Sequence, residues 1–450
     1  MRSKLKREIF HHPKILLTMR ILHTADLHLG QILYQSYDRS DEHQHFFHQL
    51  TKWCTEYQPN ALLVSGDVFD MQQPSASTKK AFTDYFAQLH LSCPEMHIII
   101  TAGNHDSASR IQADSAVWQF ANTHLIGVSP ALDAPNGWQD NYIIKLSQGY
   151  VIALPFMVGE RKEQLQSLLD RVAAENSDDK PVVVMGHAAV SGLDASGHGF
   201  EVGKLKTVDM EALGKGYDYF ALGHIHKPQT IGHQEDAFEK TISYPTPVVR
   251  YSGSALHVSC DETYPHSVSL VDIDKHEGTV TIRQLVIDEL RHFHVLPQDG
   301  SSLTSEKSAI AAIQELAYQG KECYFRLQLD RKTFLSENFN QMVYDVLDKN
   351  GNHLRYNPKH TWTGVSDEPD SESQPLVFEV AELQQMTDPI AFIEKTQNQY
   401  PDLDLEEVRK AFDEIRFEVA RIEDEALQKE LKKTKNKVKT NEPNKNKSGL

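Results

Sequence analysis

Cysteine is scarce: Cys54, Cys93, Cys260 and Cys323 are the only four in 450 residues, and no two form a C-x-x-C pair. That spacing excludes a zinc ribbon and a disulfide framework, and it fits a reducing, cytoplasmic protein whose thiols serve as small apolar side chains. Long apolar runs are missing as well. No stretch approaches the roughly 18 residues of a membrane span, so no membrane role is expected. The basic start is interrupted at Arg20 before it reaches the length of a secretory signal core, which argues against export. Positive charge is also in deficit. With 46 Lys and Arg against 63 Asp and Glu the net charge is −17, so the chain does not coat nucleic acid by bulk attraction. There is no internal repeat and no G-x-x-x-x-G-K-[ST] loop, which excludes a P-loop ATPase.

The composition that remains, 40% apolar and 24% charged, is that of an ordinary globular protein, and the length calls for two or three domains. Residues 1–18 read as an extension ahead of Met19, non-native or disordered. Apolar runs at Arg20-Ile21-Leu22, Ala61–Val64, His97–Ile100, Val182–Met185 and Tyr219–Leu222 read as buried strands. Segments of helical length lie between the early ones, at Asp41–Tyr57 and Ser77–Leu89. The alternation predicts an α/β class, a two-sheet sandwich over residues 19–288. A composition shift follows. His294-Val295-Leu296, a helical Ser305–Gln319, a strand at Cys323–Leu329 and a second helix at Ser336–Leu347 read as a small α+β domain, assigned to residues 289–384.

Asp388-Pro389 is a helix start, and apolar Leu405, Val408, Phe412, Ile415, Val419, Ile422 and Ala426 alternate spacings of three and four. Residues 385–427 are therefore expected to be helical, with a narrow seam that packs on the chain's own domains or against another protein's helices. From Lys429 to Leu450 there are eight lysines against two glutamates. Residues 428–450 read as a basic disordered tail, either solvated or touching DNA or a partner.

The chemistry is concentrated in five short motifs that each follow an apolar run: Asp26-Leu27-His28, Gly66-Asp67, Gly103-Asn104-His105, Gly186-His187 and Gly223-His224-Ile225-His226. Asp26, His28, Asp67, Asn104, His187, His224 and His226 are the candidate metal ligands. Residues i and i+2 of an extended strand end project to one side, so Asp26 with His28, and His224 with His226, can each aim at one cation. Asp67 has two oxygens and can bridge two cations, as two-metal hydrolysis requires. His105 points away from its neighbour Asn104, which leaves it free for proton transfer, and it is the candidate general acid. Imidazole, carboxylate and amide donors without a thiolate suit Mn²⁺, Fe or Zn²⁺, with Mn²⁺ the expected ion. Together these motifs predict phosphoester hydrolysis at two divalent metal ions without a covalent nucleophile.

The set D-x-H, G-D, G-N-H-D, G-H and G-H-x-H resembles the signature of the calcineurin-like metallophosphoesterases. Within that superfamily, Ile21–Gly30, Ser65–Asp70, Ala102–Ser107, Tyr217–Gln229 and Tyr251–Ser254 resemble the SbcD family of bacterial nucleases. The resemblance implies one metal on Asp26, His28, Asp67 and His226, a second on Asp67, Asn104, His187 and His224, and His105 as the catalytic histidine. It implies that residues 289–384 form a DNA-binding cap and that the C-terminal helices bind an SbcC-type coiled-coil ATPase in a heterotetramer. A homodimer through helices near Gln31–Trp53 or Ser77–Leu89 also follows from the family alone. The implied activity is that of a Mn²⁺-dependent DNA nuclease, a double-strand exonuclease and a hairpin or single-strand endonuclease in DNA repair, recombination and replication, associated with the nucleoid. A small-molecule phosphodiesterase or a protein phosphatase with the same site is the alternative. Archaeal and eukaryotic relatives carry a second histidine three residues after the bridging Asp, where this chain, like bacterial members, has Asp70.

Overall fold

The computed structural model describes residues 18–131, 137–156, 162–194, 207–233, 241–259 and 262–363. Cys260, residues 364–384 of the expected cap, residues 385–427 with their expected helices and the basic tail lie outside the described residues, as do residues 1–17. Two sheets carry the first part of the chain. One has seven strands in the order Thr241–Pro245, Thr279–Val286, Ser267–Asp274, Thr18–Thr24, Ala61–Ser65, His97–Thr101 and Thr123–Ile126. Its last four strands are parallel, and Thr18–Thr24 pairs antiparallel with Ser267–Asp274 on its other side. The other sheet has six, in the order Gln229–Thr230, Val248–Tyr251, Tyr219–Gly223, Val182–His187, Tyr150–Ala153 and Ile143–Lys145.

The central strands are buried on both faces, which is why they read as continuous apolar runs. Ile21, Leu63 and Ile99 face the second sheet and pack with Val183, Val184 and Phe220. Their neighbours Leu22, Leu62, Val64, Ile98 and Ile100 face the opposite way, onto Phe46, Phe47 and Leu50 of the helix Ser40–Tyr57 and Phe86 of the helix Ala76–Ser92. Period two thus divides each strand between two cores. The helix Lys162–Glu175 covers the far side of the second sheet with Leu165, Leu168 and Val172. This is the two-sheet α/β sandwich expected, and the two early helices fall where the sequence puts them.

Residues 292–363 have their own sheet and core. Cys323–Asp330 is the central strand and pairs parallel with His292–Leu296, Leu354–Tyr356 and Thr361–Thr363. The helices Glu306–Tyr318 and Phe339–Asn350 cover it with Ile313, Leu316, Val343 and Leu347. Ser305 caps the first helix through a reciprocal pair with Ser308.

This sheet is fastened to the helix Ser40–Tyr57 by buried charge. Arg39 donates from Nε to Glu42 at 3.0 Å, Tyr324 Oη donates to the same carboxylate at 2.7 Å, and Arg291 pairs with Asp41 and Glu322. The ring of Phe293 stacks on Tyr324 with centroids 4.6 Å apart. Removing one member would leave buried charge unpaired, so the contact holds as a unit.

Candidate metal centre

All seven candidate ligands gather at the ends of five strands drawn from both sheets. The loops are laced to one another by backbone bonds: Asp26 N–H donates to Gly66 O at 3.0 Å, His28 N–H to Asp67 O at 3.1 Å, and Leu29 N–H to Val68 O at 2.9 Å. The D-x-H segment therefore lies in a loop. Asp26 (φ 51°) and His28 (φ 46°) are left-handed, as are Asp67 (φ 48°) and His224 (φ 92°). The extended i, i+2 geometry expected for Asp26 and His28 is replaced by two left-handed turns, because the strand ends at Thr24 and the loop follows Gly66–Val68. The projection of Asp26 and His28 to one side is the same, reached by another route, whereas His224 (φ 92°) and His226, expected to aim at one cation, fall in different donor groups.

The glycines of the motifs admit this crowding. A Cβ on Gly66 (φ +83°) would lie 2.2 Å from His187 Nδ1, and one on Gly103 would lie 2.1 Å from Asp67 Oδ1. Neither position has room for a side chain.

Two groups of donors emerge, Asp26 with His28 and His226, and Asp67 with His187 and His224, with ligand atoms within 4.8 Å of one another in each. Asn104 joins the second. Its Oδ1 lies 2.9 Å from His187 Nε2 and 2.9 Å from His224 Nδ1, and His187 Nε2 lies 3.3 Å from Asp67 Oδ2. His187 Nδ1–H donates to Ser65 O at 2.9 Å, so its Nε2 faces the cluster. Asp26, His28, Asp67 and His187 are buried, while Asn104 and His224 are half-buried.

The electrostatics fit a cation. Burial pushes the His187 imidazole down, yet the Asp67 and Asp26 carboxylates raise it to about 9. Burial lifts the Asp26 carboxyl to about 7, with His187 opposing and Asp67 adding to the rise. Burial alone would raise Asp67 too, but His187, by charge and hydrogen bond, holds it well below the usual carboxylate range. The cluster thus attracts positive charge strongly. His28 Nε2 is buried without a hydrogen-bond partner, while its Nδ1–H donates to Asp70 Oδ1 at 3.1 Å. An orphaned ring nitrogen beside two carboxylates is what a metal ligand requires. His226 is kept neutral, its pKa well below 6.5, by burial and by His28.

His105 is exposed, and its ring centroid lies 4.9 Å from that of His28. Its backbone N–H donates to Asp67 Oδ1 at 2.8 Å and its Nδ1–H to the carbonyl of Asp70 at 3.0 Å, which leaves Nε2 open. Asp70 therefore stands behind both histidines, and with them it forms a third group able to hold a metal. Two further residues carry the site although no sequence motif singles them out as ligands. Asp106, whose carboxyl burial and Asp67 push up to about 6, accepts the N–H groups of Gly103, Val68 and Phe69 at 2.8, 3.0 and 2.9 Å. Glu262 accepts from His226 Nδ1–H at 2.7 Å. Asp106 could have been found from its place in G-N-H-D; Glu262 has no motif.

Residues 19–228 match the calcineurin-like phosphoesterase family. The chain is 29% identical over 349 residues to the SbcD component of nuclease SbcCD from Rhodobacter capsulatus, covering 70% of this chain and 81% of that protein. It is 28% identical over 312 residues to the component of the same name from Escherichia coli K12, covering 64% and 73%. The Bacillus subtilis counterpart is 28% identical over 271 residues, covering 56% and 66%. Residues 19–228 are thus similar to the calcineurin-like phosphoesterases, and most of the chain's length is similar to the SbcD component of the SbcCD nuclease.

Proposed function

We propose that this protein is a metal-dependent DNA nuclease, a phosphodiester hydrolase of the SbcD type. The observation that carries the reading is the convergence of two donor groups, Asp26, His28 and His226 with Asp67, His187 and His224, at the strand ends of both sheets. Asp26, His28, Asp67 and His226 would hold one divalent ion, and Asp67, Asn104, His187 and His224 the other, with Mn²⁺ favoured by the mixed imidazole and oxygen donors. Bound there, the ions supply Lewis acidity toward the phosphate and lower the pKa of water. The protein's own contribution is positional. Asp67 holds the His105 backbone, and the Asp70 carbonyl accepts Nδ1–H and fixes the ring, so that as the imidazolium His105 would give the proton on Nε2 to the leaving oxygen and return to the neutral Nδ1–H form.

An exposed acid at the mouth of the site suits a diester within a long polymer. Beside it a cleft is lined by Phe69, Phe82, Ser107, Lys79 and Arg110. Among the described residues neither cation is in an ion pair, which leaves both available to flanking phosphates. Residues 289–384 would form the cap against the DNA. Residues 385–427, outside the described residues, would bind an SbcC-type coiled-coil ATPase, with two copies of each protein in the complex at the nucleoid.

The test is Mn²⁺-dependent cleavage of a DNA hairpin measured beside hydrolysis of p-nitrophenyl phosphate and a phosphoprotein. Hairpin cleavage that exceeds both is expected; preference for the monoester or the phosphoprotein would favour a phosphatase. His105→Ala should lower hairpin cleavage by about 10² to 10⁴ while Mn²⁺ binding is kept. Unchanged cleavage would remove His105 from the acid role.

A further inference from the structure

Each buried histidine of the centre is held from behind, but not by the same kind of group. His187 Nδ1–H rests on the carbonyl of Ser65 at 2.9 Å, a neutral acceptor. His28 Nδ1–H rests on the Asp70 carboxylate at 3.1 Å, and His226 Nδ1–H on the Glu262 carboxylate at 2.7 Å. Of these three histidines, the two backed by a carboxylate both belong to the group of Asp26, His28 and His226. Glu262 is the deeper of the two carboxylates, with its side chain fully buried, whereas Asp70 is one-quarter exposed.

We infer that Glu262 is a positioning residue that orients His226 and makes the Asp26–His28–His226 group the tighter of the two ion sites. The inference rests on the reading that His226 is a metal ligand. An ionised carboxylate accepts hydrogen bonds and donates none, so the proton between the two groups belongs to His226 Nδ1. The Nε2 lone pair then has one direction available, toward Asp26 and His28. The His226 ring meets the His28 ring edge-on with centroids 5.4 Å apart. Hydrogen bonding to an anion also makes Nε2 a stronger donor than the carbonyl-backed His187 can be.

Glu262 is itself anchored. Its Oε2 accepts the Val258 N–H at 2.8 Å, so the carboxylate cannot follow the ring if it turns. Among the described residues, its ion-pair neighbours are histidines alone, His226 at 2.7 Å and His266 at 3.4 Å. A buried anion without a guanidinium or ammonium partner is costly. A divalent cation on the far side of His226 supplies the missing charge. The arrangement therefore accounts for a buried carboxylate that is paired, among the described residues, with histidines alone.

The experiment is a calorimetric Mn²⁺ titration of the full chain at pH 7.5, with thermal unfolding of each variant in excess EDTA. In Glu262→Leu the tighter binding phase should weaken by about 10- to 100-fold with the weaker phase unchanged. Glu262→Gln keeps a carbonyl for His226 Nδ1–H and should lose less, which separates charge from orientation and serves if the leucine variant does not fold. A lower unfolding temperature with both phases intact, or an equal loss in both, would overturn the inference. His226→Ala is the control for the underlying assignment. If it leaves both phases intact, the ligand reading itself fails, and if it abolishes the tight phase while the Glu262 variants do not alter it, only the role of Glu262 fails.

Discussion

Asp106→Asn is the perturbation that asks most of the site while changing least of its shape. The carboxylate receives three backbone N–H groups, from Gly103 and Val68 at Oδ2 and from Phe69 at Oδ1. It thereby ties the loop that carries Asp67 to the loop that carries Asn104. An asparagine retains one oxygen, which can keep the two bonds at Oδ2, but its NH₂ then opposes the Phe69 N–H. One charge-assisted bond, worth about 1.5 to 3 kcal/mol, is lost, and a buried donor is left unpaired at about 1 to 3 kcal/mol more. Together these make about 2.5 to 6 kcal/mol, offset in part because the neutral amide sheds the burial cost and the Asp67 repulsion that push the carboxyl up to about 6. Urea unfolding at pH 7.5 in EDTA measures it, and a Mn²⁺ titration should show weaker binding because Asp67 and Asn104 lose their common tether. A loss below about 1 kcal/mol with Mn²⁺ affinity intact would show that the tether is not needed, and that the loops are held by strand pairing alone.

Gly66→Ala would place a methyl group 2.2 Å from His187 Nδ1 at a left-handed residue. Folded yield should fall, and the protein that remains should bind Mn²⁺ weakly, since the His187 ring must leave its bond to Ser65 O. Tyr324→Phe removes the 2.7 Å bond to Glu42 and should cost about 1.5 to 3 kcal/mol in urea unfolding, with hydrolysis of a small diester unchanged because the site is elsewhere. His43 is buried, donates from Nε2 to Leu27 O at 2.9 Å, and is lowered from 6.5 to about 4 by burial and Arg39. The unfolded chain therefore takes up this proton first, so stability is full above pH 6.5 and falls as the pH drops toward 4, by about 3 kcal/mol at the limit. Denaturation at pH 7.5 and pH 5 measures the loss, and His43→Gln should shrink the difference.

The candidate ligands are legible in the sequence because each stands at the end of a strand that is buried on both faces. Within Ala61–Ser65 and Val182–His187 every residue before Ser65 and His187 is apolar or glycine for that reason, and the polar residue that ends such a run is conspicuous. His105 separates from Asn104 because neighbouring side chains diverge, and the structure sends one to the His187–His224 pair and the other to the Asp70 carbonyl. What lies hidden depends on contacts that have no period. Glu262 meets His226 across 36 residues in a segment without regular structure, and Asp70 acts on His105 through its backbone carbonyl, which no side-chain pattern records. The left-handed turns at Asp26 and His28 are also invisible, since the i, i+2 spacing serves a strand and this loop alike. The all-parallel sheet of residues 292–363 shows only two of its strands in the sequence, because Leu354–Tyr356 and Thr361–Thr363 are too short to show alternation.

Those left-handed turns bear on how the centre binds metal. Asp26, His28, Asp67 and His224 are not glycine, and each held in that region costs about 1 to 3 kcal/mol. The backbone bonds from Asp26, His28 and Leu29 to Gly66, Asp67 and Val68 offset part of this, and the Asp106 tether fixes the loop on its other side. The remaining cost is electrostatic, because Asp26 and Asp67 are buried close together and raise the energy of one another's charge. A cation relieves the repulsion, whereas the strain stays in the backbone with or without it, because the lacing prevents the ligands from moving. Binding free energy then needs to supply little reorganisation and appears almost wholly as stabilisation of the folded state, growing as RT ln(1 + [M]/Kd). The same rigidity has a consequence for substrate. A diester must come to the ligands, since they cannot shift toward it, and His105, alone among the eight residues in being exposed, marks the side from which it arrives.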